Sequence, residues 1–336
     1  MSRISINDVA ERLGVAKSTI SKALNDRPDV SKKTKDKVRK LVNELGYKPD
    51  RLAQAFSLRK TRLIGMVIPV MKYDFFVDIA KSVTNEAQKT GYRVIFDSSE
   101  EIAKREAEIV NDYIERGIDG LIITPCIKEN ASFLKELVKK EYPFVMIDRY
   151  INGIKAPFIG TDFEGGAYKS TKYLIKLGHR KIAYLGGPSF IPASREKING
   201  FKRALTEAGI NIKENLIIQG EYDPEDAKKN LRILMKTAND ITAIICANPD
   251  ISIGVYEELI KSGIKVPDDI SLIDFGNASF FSSVDQKTEK IGKIATQILL
   301  DIIGGEKSSE KIIVDTELVI RKSCAKPKIK MKGYEL

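Results

Sequence analysis

Apolar residues in the first 45 positions recur every three or four residues, which is the spacing of amphipathic helices. This spacing predicts short helices over residues 5–13, 17–24 and 31–45. Ser5 and Ser31 are suited to cap two of them, and a glycine follows the first and the third. Two helices joined by a glycine-containing turn form a helix-turn-helix. The positions expected to face the core of this bundle are Ile6, Val9, Ala10, Leu13, Ile20, Ala23, Leu24, Val38, Leu41, Val42 and Leu45.

From Leu63 onward, short apolar runs alternate with helical segments. Strands are predicted over residues 63–69, 93–97, 119–124, 143–148, 181–186, 242–247 and 270–275. Helices are predicted over residues 75–90, 102–115, 129–140, 163–177, 194–208, 225–237, 250–262 and 288–303. This alternation indicates parallel sheets covered by helices on both faces, which bind ligands beyond the carboxyl ends of their strands. The predicted fold class is an all-α helix-turn-helix headpiece followed by an α/β core.

The net charge of +10 is concentrated in the headpiece. Residues 1–62 contain 16 Lys and Arg against 7 Asp and Glu, a net of +9, whereas the remaining residues contain 40 against 39. A compact basic unit beside a nearly neutral body indicates a polyanion-binding module joined to a second function.

The second predicted helix carries polar residues on the face that the bundle core does not need. In a helix-turn-helix this helix enters the major groove of DNA and reads base edges from its N-terminal end. Lys17 and Lys22 can donate to guanine, and Ser18 can contact several bases. Thr19, Ser21 and Asn25 are better suited to phosphate oxygens.

The composition excludes several classes of protein. No apolar run approaches the length of a membrane span, and the first residues, MSRISINDVAERLG, do not form a secretory signal. Three scattered cysteines and one histidine predict neither disulfides nor a metal site, so we expect a cytoplasmic protein. No phosphate-binding or dinucleotide fingerprint is found. We expect no cofactor and no catalytic residue.

The chain resembles the LacI/GalR family of bacterial transcription regulators. The stretch INDVAERLGVAKSTISKALNDRPDVSKKTKDKVRKLVNELGYKPDRLAQAF is similar to the family's headpiece. The resemblance continues through LIGMVIPV, DGLIITP, VMIDR, LGHRKIAYLGGP, NGFKRAL, VPDDISLIDFG and ELVIRKS. It covers about residues 4–324.

The resemblance implies a hinge helix at about residues 50–58, which lies in the minor groove in family members. Phe56 stands where the family has a leucine that is wedged between base steps, and phenylalanine can serve as the same wedge. Arg51 and Ala53 of this segment are also expected to contact DNA. Ala16 replaces the usual serine at the start of the recognition helix, so a cap or a phosphate contact is missing there.

The resemblance also implies a core of two doubly wound subdomains, similar to a periplasmic binding protein, with an effector held between them. The predicted divisions are a headpiece at 1–48, a hinge at 49–60, a core at 61–324 and a basic, frayed tail at 325–336. Within the core, the first subdomain is expected to comprise about 61–157 and 289–318, and the second about 158–288 and 319–324.

Family members contact the effector at positions that correspond to seven residues of this chain. Aromatic rings stack on sugars, and charged or amide groups bind hydroxyls. Phe76 has core packing as its alternative role, and Asp148 and Arg149 have a mutual ion pair. The predicted effector residues are Phe75, Phe76, Asp148, Arg149, Lys197, Asn248 and Asp274.

Departures from the family pattern predict an atypical small polar ligand or none. Lys197 replaces an arginine, and lysine lacks the planar two-pronged donor of a guanidinium; Arg195 is a possible substitute. The usual Gly-Phe-Asp is inverted at residues 274–276, which keeps the carboxylate on one face of the strand and moves it inward.

The leading interpretation is a sequence-specific repressor that binds a palindromic operator as a homodimer and responds to a sugar-like effector. Ligand binding either releases or promotes DNA binding. An alternative is a catabolite-control regulator whose DNA affinity is set by a phosphoprotein. An enzyme is opposed by the lack of a catalytic constellation, and a periplasmic receptor is opposed by the headpiece.

Overall fold

The computed structural model describes residues 4–24, 26–47, 60–72, 74–126, 132–238, 240–276 and 280–328. The chain divides into two compact units, residues 1–62 and 63–336, which are described separately below. Among the described residues, no helix combines the length and the apolar character that a membrane crossing requires.

The first unit contains the three helices that the periodicity predicts: α1 (Ile6–Leu13), α2 (Lys17–Leu24) and α3 (Lys32–Glu44). The Ser5 hydroxyl accepts from the backbone N–H of Asp8, whose carboxylate accepts from the N–H of Ser5, so α1 begins with a capping box. Gly14 ends α1 in the left-handed region, at φ 61°.

The interior of this small bundle is made of the residues expected from the sequence. Val9, Ile20, Ala23 and Val38 are fully buried, and the other predicted inward positions pack against them. Val30 and Tyr47, outside the helices, complete the cluster. A core this small leaves most of the polar surface, with its excess of lysine and arginine, available to solvent.

The second unit contains two α/β lobes. Its strands are β1 (Leu63–Ile68), β2 (Arg93–Ser98), β3 (Gly120–Ile123), β4 (Phe144–Ile147), β5 (Phe158–Thr161), β6 (Ile182–Gly186), β7 (Ile217–Gln219), β8 (Ala243–Cys246), β9 (Ser271–Phe275), β10 (Ser282–Asp285), β11 (Lys311–Val314) and β12 (Glu317–Val319). Its helices are α4 (Asp74–Lys89), α5 (Ala103–Glu115), α6 (Ser132–Lys139), α7 (Phe163–Leu177), α8 (Pro192–Glu207), α9 (Pro224–Thr237), α10 (Pro249–Lys261) and α11 (Thr288–Ile303).

Each lobe is built on a six-stranded sheet within the described part of the chain. The first sheet is parallel throughout and has the order β11-β5-β4-β3-β1-β2. The second has the order β12-β10-β9-β8-β6-β7 and is parallel except for the β10–β12 pair. The central strands are buried on both faces, which explains why they read as continuous apolar runs.

The boundary between the lobes differs from the prediction at two places. Residues 158–161, assigned to the second lobe from the sequence, form β5, which pairs with β4 and β11 in the first sheet. Residues 317–318, assigned to the first lobe, belong to β12 in the second sheet. The chain therefore passes between the lobes near residue 162, at 286–287 and at 315–316.

The end of the described chain is docked on the second lobe, in contrast to the frayed tail expected from the sequence. The Ala325 carbonyl accepts from Ser271 Oγ at 3.1 Å and contacts His179 Nε2 at 2.9 Å. Lys328 pairs with Asp269. His179 is buried and also contacts Thr242 Oγ1 at 2.8 Å, so it joins a helix end, a strand start and the C-terminal segment.

Candidate functional site

The surface predicted to meet DNA lies on α2 of the first unit. Lys17 and Ser18 are exposed in its first turn, whereas Thr19 and Ser21 are half-buried. The carbonyl of Ala16 accepts from the N–H of Thr19 at 2.9 Å, but the methyl group of alanine cannot accept a hydrogen bond and so cannot cap the helix. The first turn of α2 therefore presents a lysine, a hydroxyl and a helix end without a side-chain cap, a combination suited to an anion.

Lys22, the second lysine predicted to read a base, is already engaged in the protein. Its Nζ donates to Asp29 Oδ2 at 2.6 Å, and both side chains are about half exposed. A base could reach this lysine only in competition with Asp29. Four further predicted contacts lie outside the described residues: Asn25, Arg51, Ala53 and Phe56.

The second unit encloses a cavity of about 440 Å³ between its lobes, beyond the carboxyl ends of both sheets. This volume lies within the range of small-molecule sites. Both lobes supply lining residues. Six of the seven predicted effector residues line it: Phe75, Phe76, Asp148, Arg149, Lys197 and Asn248.

Phe75 and Phe76 begin α4 and meet edge to face, with ring centroids 5.1 Å apart. Phe76 is buried in the core of the first lobe and also lines the cavity. Its position is therefore compatible with both core packing and effector contact. Phe75 is half-buried and lies 6.4 Å from the ring of Phe163, which belongs to the second lobe. The cavity thus has an aromatic wall to which both lobes contribute.

Arg149 is paired chiefly with Glu101, a residue that the sequence reading did not select. Its Nη2 and Nη1 donate to the two carboxylate oxygens of Glu101 at 2.6 and 2.8 Å, and Nη1 also donates to the Pro125 carbonyl at 3.3 Å. Arg149 is 6% exposed. Asp148 lies farther away, with Oδ2 at 3.6 Å from Arg149 Nε. The guanidinium therefore lines the cavity with its charge already neutralised.

Lys197 is buried and contacts a backbone carbonyl and two aromatic rings of the second lobe. Its Nζ donates to the Ala247 carbonyl at 2.8 Å and lies 4.8 Å from the ring centre of Phe163 and 4.6 Å from that of Phe275. Burial lowers the pKa of Lys197 to about 8, although attraction by Asp148 acts in the opposite direction. Arg195 is exposed and does not line the cavity, so it does not replace the missing guanidinium.

Asn248 and Asp274 are held by the protein in different ways. Asn248 caps α10 by accepting from the N–H of Ile251 at 2.9 Å, and it also lines the cavity. Asp274 does not line the cavity, contrary to the prediction. Its side chain is fully buried, and its Oδ2 accepts from Ser252 Oγ at 3.3 Å. Burial raises the pKa of Asp274 to about 6.

Several cavity residues follow short strands that the apolar pattern of the sequence does not reveal. Phe163 follows β5, Tyr222 follows β7 and Gln286 follows β10. The hydroxyl of Tyr222 is fixed by a 2.9 Å contact with Ser194 Oγ. Only the general rule that ligands bind at the carboxyl ends of strands could have found these residues, and it requires the strands to be known.

Glu106 is a buried carboxyl near Arg149 that makes the stability of the core depend on pH. Its Oε2 accepts from the Cys126 N–H at 2.8 Å, and burial raises its pKa from 4.5 to about 7. The folded state therefore holds this proton more tightly than the unfolded state. The resulting stabilisation is present at acidic pH and is lost as the pH rises from 4.5 through 7.

Glu106→Gln should remove this dependence, since glutamine retains an acceptor for the Cys126 N–H. The difference in free energy of unfolding, variant minus wild type, should increase by about 2 kcal/mol when the pH is raised from about 5 to about 8. Urea unfolding at both pH values measures this difference. An exposed-residue control, Glu108→Gln, should show no such trend, and a constant difference for Glu106→Gln would contradict the assignment.

Comparisons with known proteins match both units. Residues 5–50 match the bacterial regulatory proteins of the lacI family, and residues 64–307 match a periplasmic binding protein domain. The chain is 31% identical over 331 residues to the HTH-type transcriptional repressor PurR of Vibrio atlanticus, covering 96% of this chain and 98% of that protein. It is 27% identical over 318 residues to catabolite control protein A of Priestia megaterium, covering 92% and 96% of the two chains.

A solved structure has the same fold. The lac repressor dimer bound to operator and the anti-inducer ONPF superposes with a TM-score of 0.85 over 96% of this chain and 100% of that chain. The sequence identity is 22%, so this likeness concerns the fold alone.

Proposed function

Because the chain belongs to the LacI family of DNA-binding transcriptional repressors, we propose that it represses transcription as a homodimer bound to a near-palindromic operator in the cytoplasm. A small polar effector in the cavity of the core sets its affinity for DNA. The proposal rests on one arrangement: a helix-turn-helix unit with a net charge of +9 is joined to a two-lobed unit that contains a 440 Å³ cavity.

The first turn of α2 carries the side chains proposed to read the operator. Lys17 can donate to guanine O6 and N7, and the Ser18 hydroxyl can donate or accept at a neighbouring base. Other lysines and arginines of the basic unit would neutralise phosphates without reading sequence. A single headpiece offers few base contacts, which is the physical reason to expect two headpieces on two half-sites.

An exposed apolar face on α10 is the surface proposed to join two copies of the chain. Ile253, Tyr256 and Ile260 recur along one face of this helix and are each about 40–50% exposed. Ile233 of α9, which packs beside α10, is 49% exposed, and Phe280 is 81% exposed. Exposed apolar groups of this size are costly in water, and a symmetric contact between two copies would bury them.

Ile260→Glu should weaken this dimer, because it places a charge within the apolar contact. We expect the dimer dissociation constant to rise at least about tenfold, which sedimentation equilibrium measures directly. Ile320→Glu is the matched control, since Ile320 is 56% exposed but lies just after β12. An unchanged association for Ile260→Glu would place the dimer contact elsewhere.

The three crossings between the lobes offer a route from the cavity to the rest of the chain. Two of them lie side by side: the N–H of Asp162 donates to the Val314 carbonyl at 3.0 Å, and Thr316 Oγ1 donates to the Asp162 carbonyl at 3.4 Å. Short connections of this kind permit rotation of one lobe against the other. The proposed effector changes the lobe angle and thereby the geometry of the paired headpieces.

The size and lining of the cavity favour a small molecule over the phosphoprotein partner also weighed from the sequence. A volume of 440 Å³ with aromatic and charged walls provides a site for a sugar-sized ligand.

Selection of bound duplexes from a random pool tests the proposed function. The purified full-length protein should enrich a near-palindrome whose half-sites are separated by a helical turn or a multiple of one. Failure to enrich any sequence, with the protein folded and dimeric, would contradict the proposal. A single enriched half-site without a symmetric partner would contradict the dimeric mode of binding.

A further inference from the structure

Carboxylates outnumber cationic side chains on the cavity wall. The lining cations are Lys72, Arg149 and Lys197. The lining carboxylates are Asp74, Asp78, Glu101, Asp148, Glu221, Asp250 and Asp285. With seven carboxylates against three cations, the lining residues have a formal net charge of −4. The core as a whole is nearly neutral, with 40 Lys and Arg against 39 Asp and Glu.

Each lining cation is already bound by the protein itself. Arg149 makes two hydrogen bonds to the Glu101 carboxylate. Lys197 donates to a backbone carbonyl between two aromatic rings. Lys72 of the first lobe pairs with Asp223 of the second lobe at 3.7 Å. An anionic ligand would have to displace one of these partners.

Asp148 is a buried carboxylate that lacks a hydrogen-bond donor among the described residues. Its side chain is 9% exposed, and its nearest charged neighbour is Arg149 Nε at 3.6 Å, beyond hydrogen-bond distance. The backbone holds this residue at φ 62°, in the left-handed region, where a non-glycine residue is uncommon. Burial raises the pKa of Asp148 against the attraction of Arg149 and Lys197. A donor brought into the cavity would satisfy this carboxylate.

Of the other lining carboxylates, Glu101 pairs with Arg149 and Asp285 pairs with Lys287, and the remaining four lie at the mouth of the cavity. Asp74, Asp78 and Glu221 are exposed there, and Asp250 is half-buried; none of the four has an ion pair within the described ranges of the chain. Burial raises the pKa of Asp250 against the attraction of Lys72, and repulsion by Asp74 adds to the rise. Like charges gathered around an opening concentrate the field and attract cations to it.

The aromatic wall is suited to a cation as well as to an apolar surface. Phe163 and Phe275 already stabilise the ammonium of Lys197 at distances of 4.8 and 4.6 Å. Phe75 and Phe76 supply further rings to the same cavity. An aromatic wall beside an unsatisfied buried carboxylate is the chemistry that recognises a protonated amine.

We propose that the effector of this cavity carries a positive charge on a protonated amine, as an amino sugar or a short diamine does. The amine is bound by Asp148 inside the cavity and attracted by the carboxylates at the mouth, while the rings pack against its carbon skeleton. This inference rests on the proposed function, since it names the chemical class of the same effector. Among the described residues, no group of three or more His, Cys, Asp or Glu side chains is placed to hold a metal ion.

Matched pairs of ligands test the charge directly. Isothermal titration calorimetry on the full-length protein compares glucosamine with glucose, and 1,4-diaminobutane with 1,4-butanediol; glucose 6-phosphate is the anionic member. At least one amine should bind at least about tenfold more tightly than its neutral partner. Its affinity should fall as salt is added. The phosphate should not bind.

Two variants connect the preference to the cavity. Asp148→Asn keeps the shape of the side chain and a residue type tolerated at positive φ, and it should reduce the preference for the amine about tenfold. Glu306→Gln removes a carboxylate beyond the far end of α11, about 24 Å along the helix from the cavity, and should leave the preference unchanged.

Three outcomes would overturn the inference: neutral ligands that bind as tightly as their amines, tight binding of the phosphate, or no binding of either amine at millimolar concentration. None of them affects the proposed function, because DNA selection by the same preparation is measured independently. Conversely, an amine that binds to a protein without DNA preference would retain the site chemistry and contradict the proposed function.

Discussion

Glu101→Gln should destabilise the core by about 3 kcal/mol, since it leaves the buried Arg149 guanidinium without its opposite charge. Arg149 is 6% exposed, and both of its terminal nitrogens donate to Glu101. Glutamine offers one acceptor oxygen where glutamate offers two charged ones. The free energy of unfolding, measured in urea and followed by a probe in the core, gives the size of the effect.

Glu108→Gln is the matched control for this prediction. Glu108 lies on α5 and forms a solvent-exposed pair with Lys104 at 3.9 Å, which should contribute less than about 0.5 kcal/mol. The contrast between the two variants isolates burial as the cause. A loss for Glu101→Gln as small as that of the control would show that Arg149 does not depend on this carboxylate.

Lys17→Ala should weaken binding to the selected operator by about 1–3 kcal/mol, a loss of roughly 5- to 150-fold in affinity. Lys17 lies in the first exposed turn of α2, where a recognition helix meets base edges, and no ion pair to it is found within the described residues. If it reads a base, the loss is accompanied by a relaxed preference at one position of each half-site. Fluorescence anisotropy with operator and single-base variants measures both effects.

Lys22→Ala should cost less than Lys17→Ala, because Asp29 already binds the Lys22 ammonium at 2.6 Å. Lys104→Ala, the same loss of charge on an exposed helix of the core, should leave operator affinity unchanged. Equal losses for Lys17 and Lys22 would show that Asp29 does not compete with DNA. If Lys17→Ala reduces the affinity for all DNA sequences equally, Lys17 contacts a phosphate and not a base.

Segments with a clear apolar pattern are predictable from the sequence, and short strands that include polar residues are not. The inner faces of α1, α2 and α3 follow from the spacing of apolar residues alone, and the caps at Ser5 and Ser31 follow from residue type. Strands β3, β4 and β8 have four residues each and are recognised because they are unbroken apolar runs, whereas β5, β7, β10, β11 and β12 are as short and each includes a polar residue. Missing β5 and β12 is the direct cause of the two differences in the lobe boundary.

Contacts between distant residues explain the remaining differences at the sites. The pairing of Arg149 with Glu101 joins residues 48 positions apart, and no local pattern indicates it. Asp274 is expected in the cavity because the family resemblance, with its Gly-Phe-Asp inverted here, places a carboxylate there, yet its side chain accepts from Ser252 on α10. Because successive side chains of a strand point to opposite faces of the sheet, the sequence predicts which side chains lie on the same face. It does not predict which of the two faces borders the cavity.

The proposed repressor depends on a basic unit that reads a particular DNA sequence. The most direct test is the ratio of dissociation constants for the selected duplex and for a permuted duplex of the same composition, measured with the full-length dimer at about 0.15 M salt. The selected duplex should bind at least about 1,000-fold more tightly than the permuted duplex. Equal affinity for the two duplexes would show that the headpiece binds DNA only as a polyanion, and it would contradict sequence-specific repression.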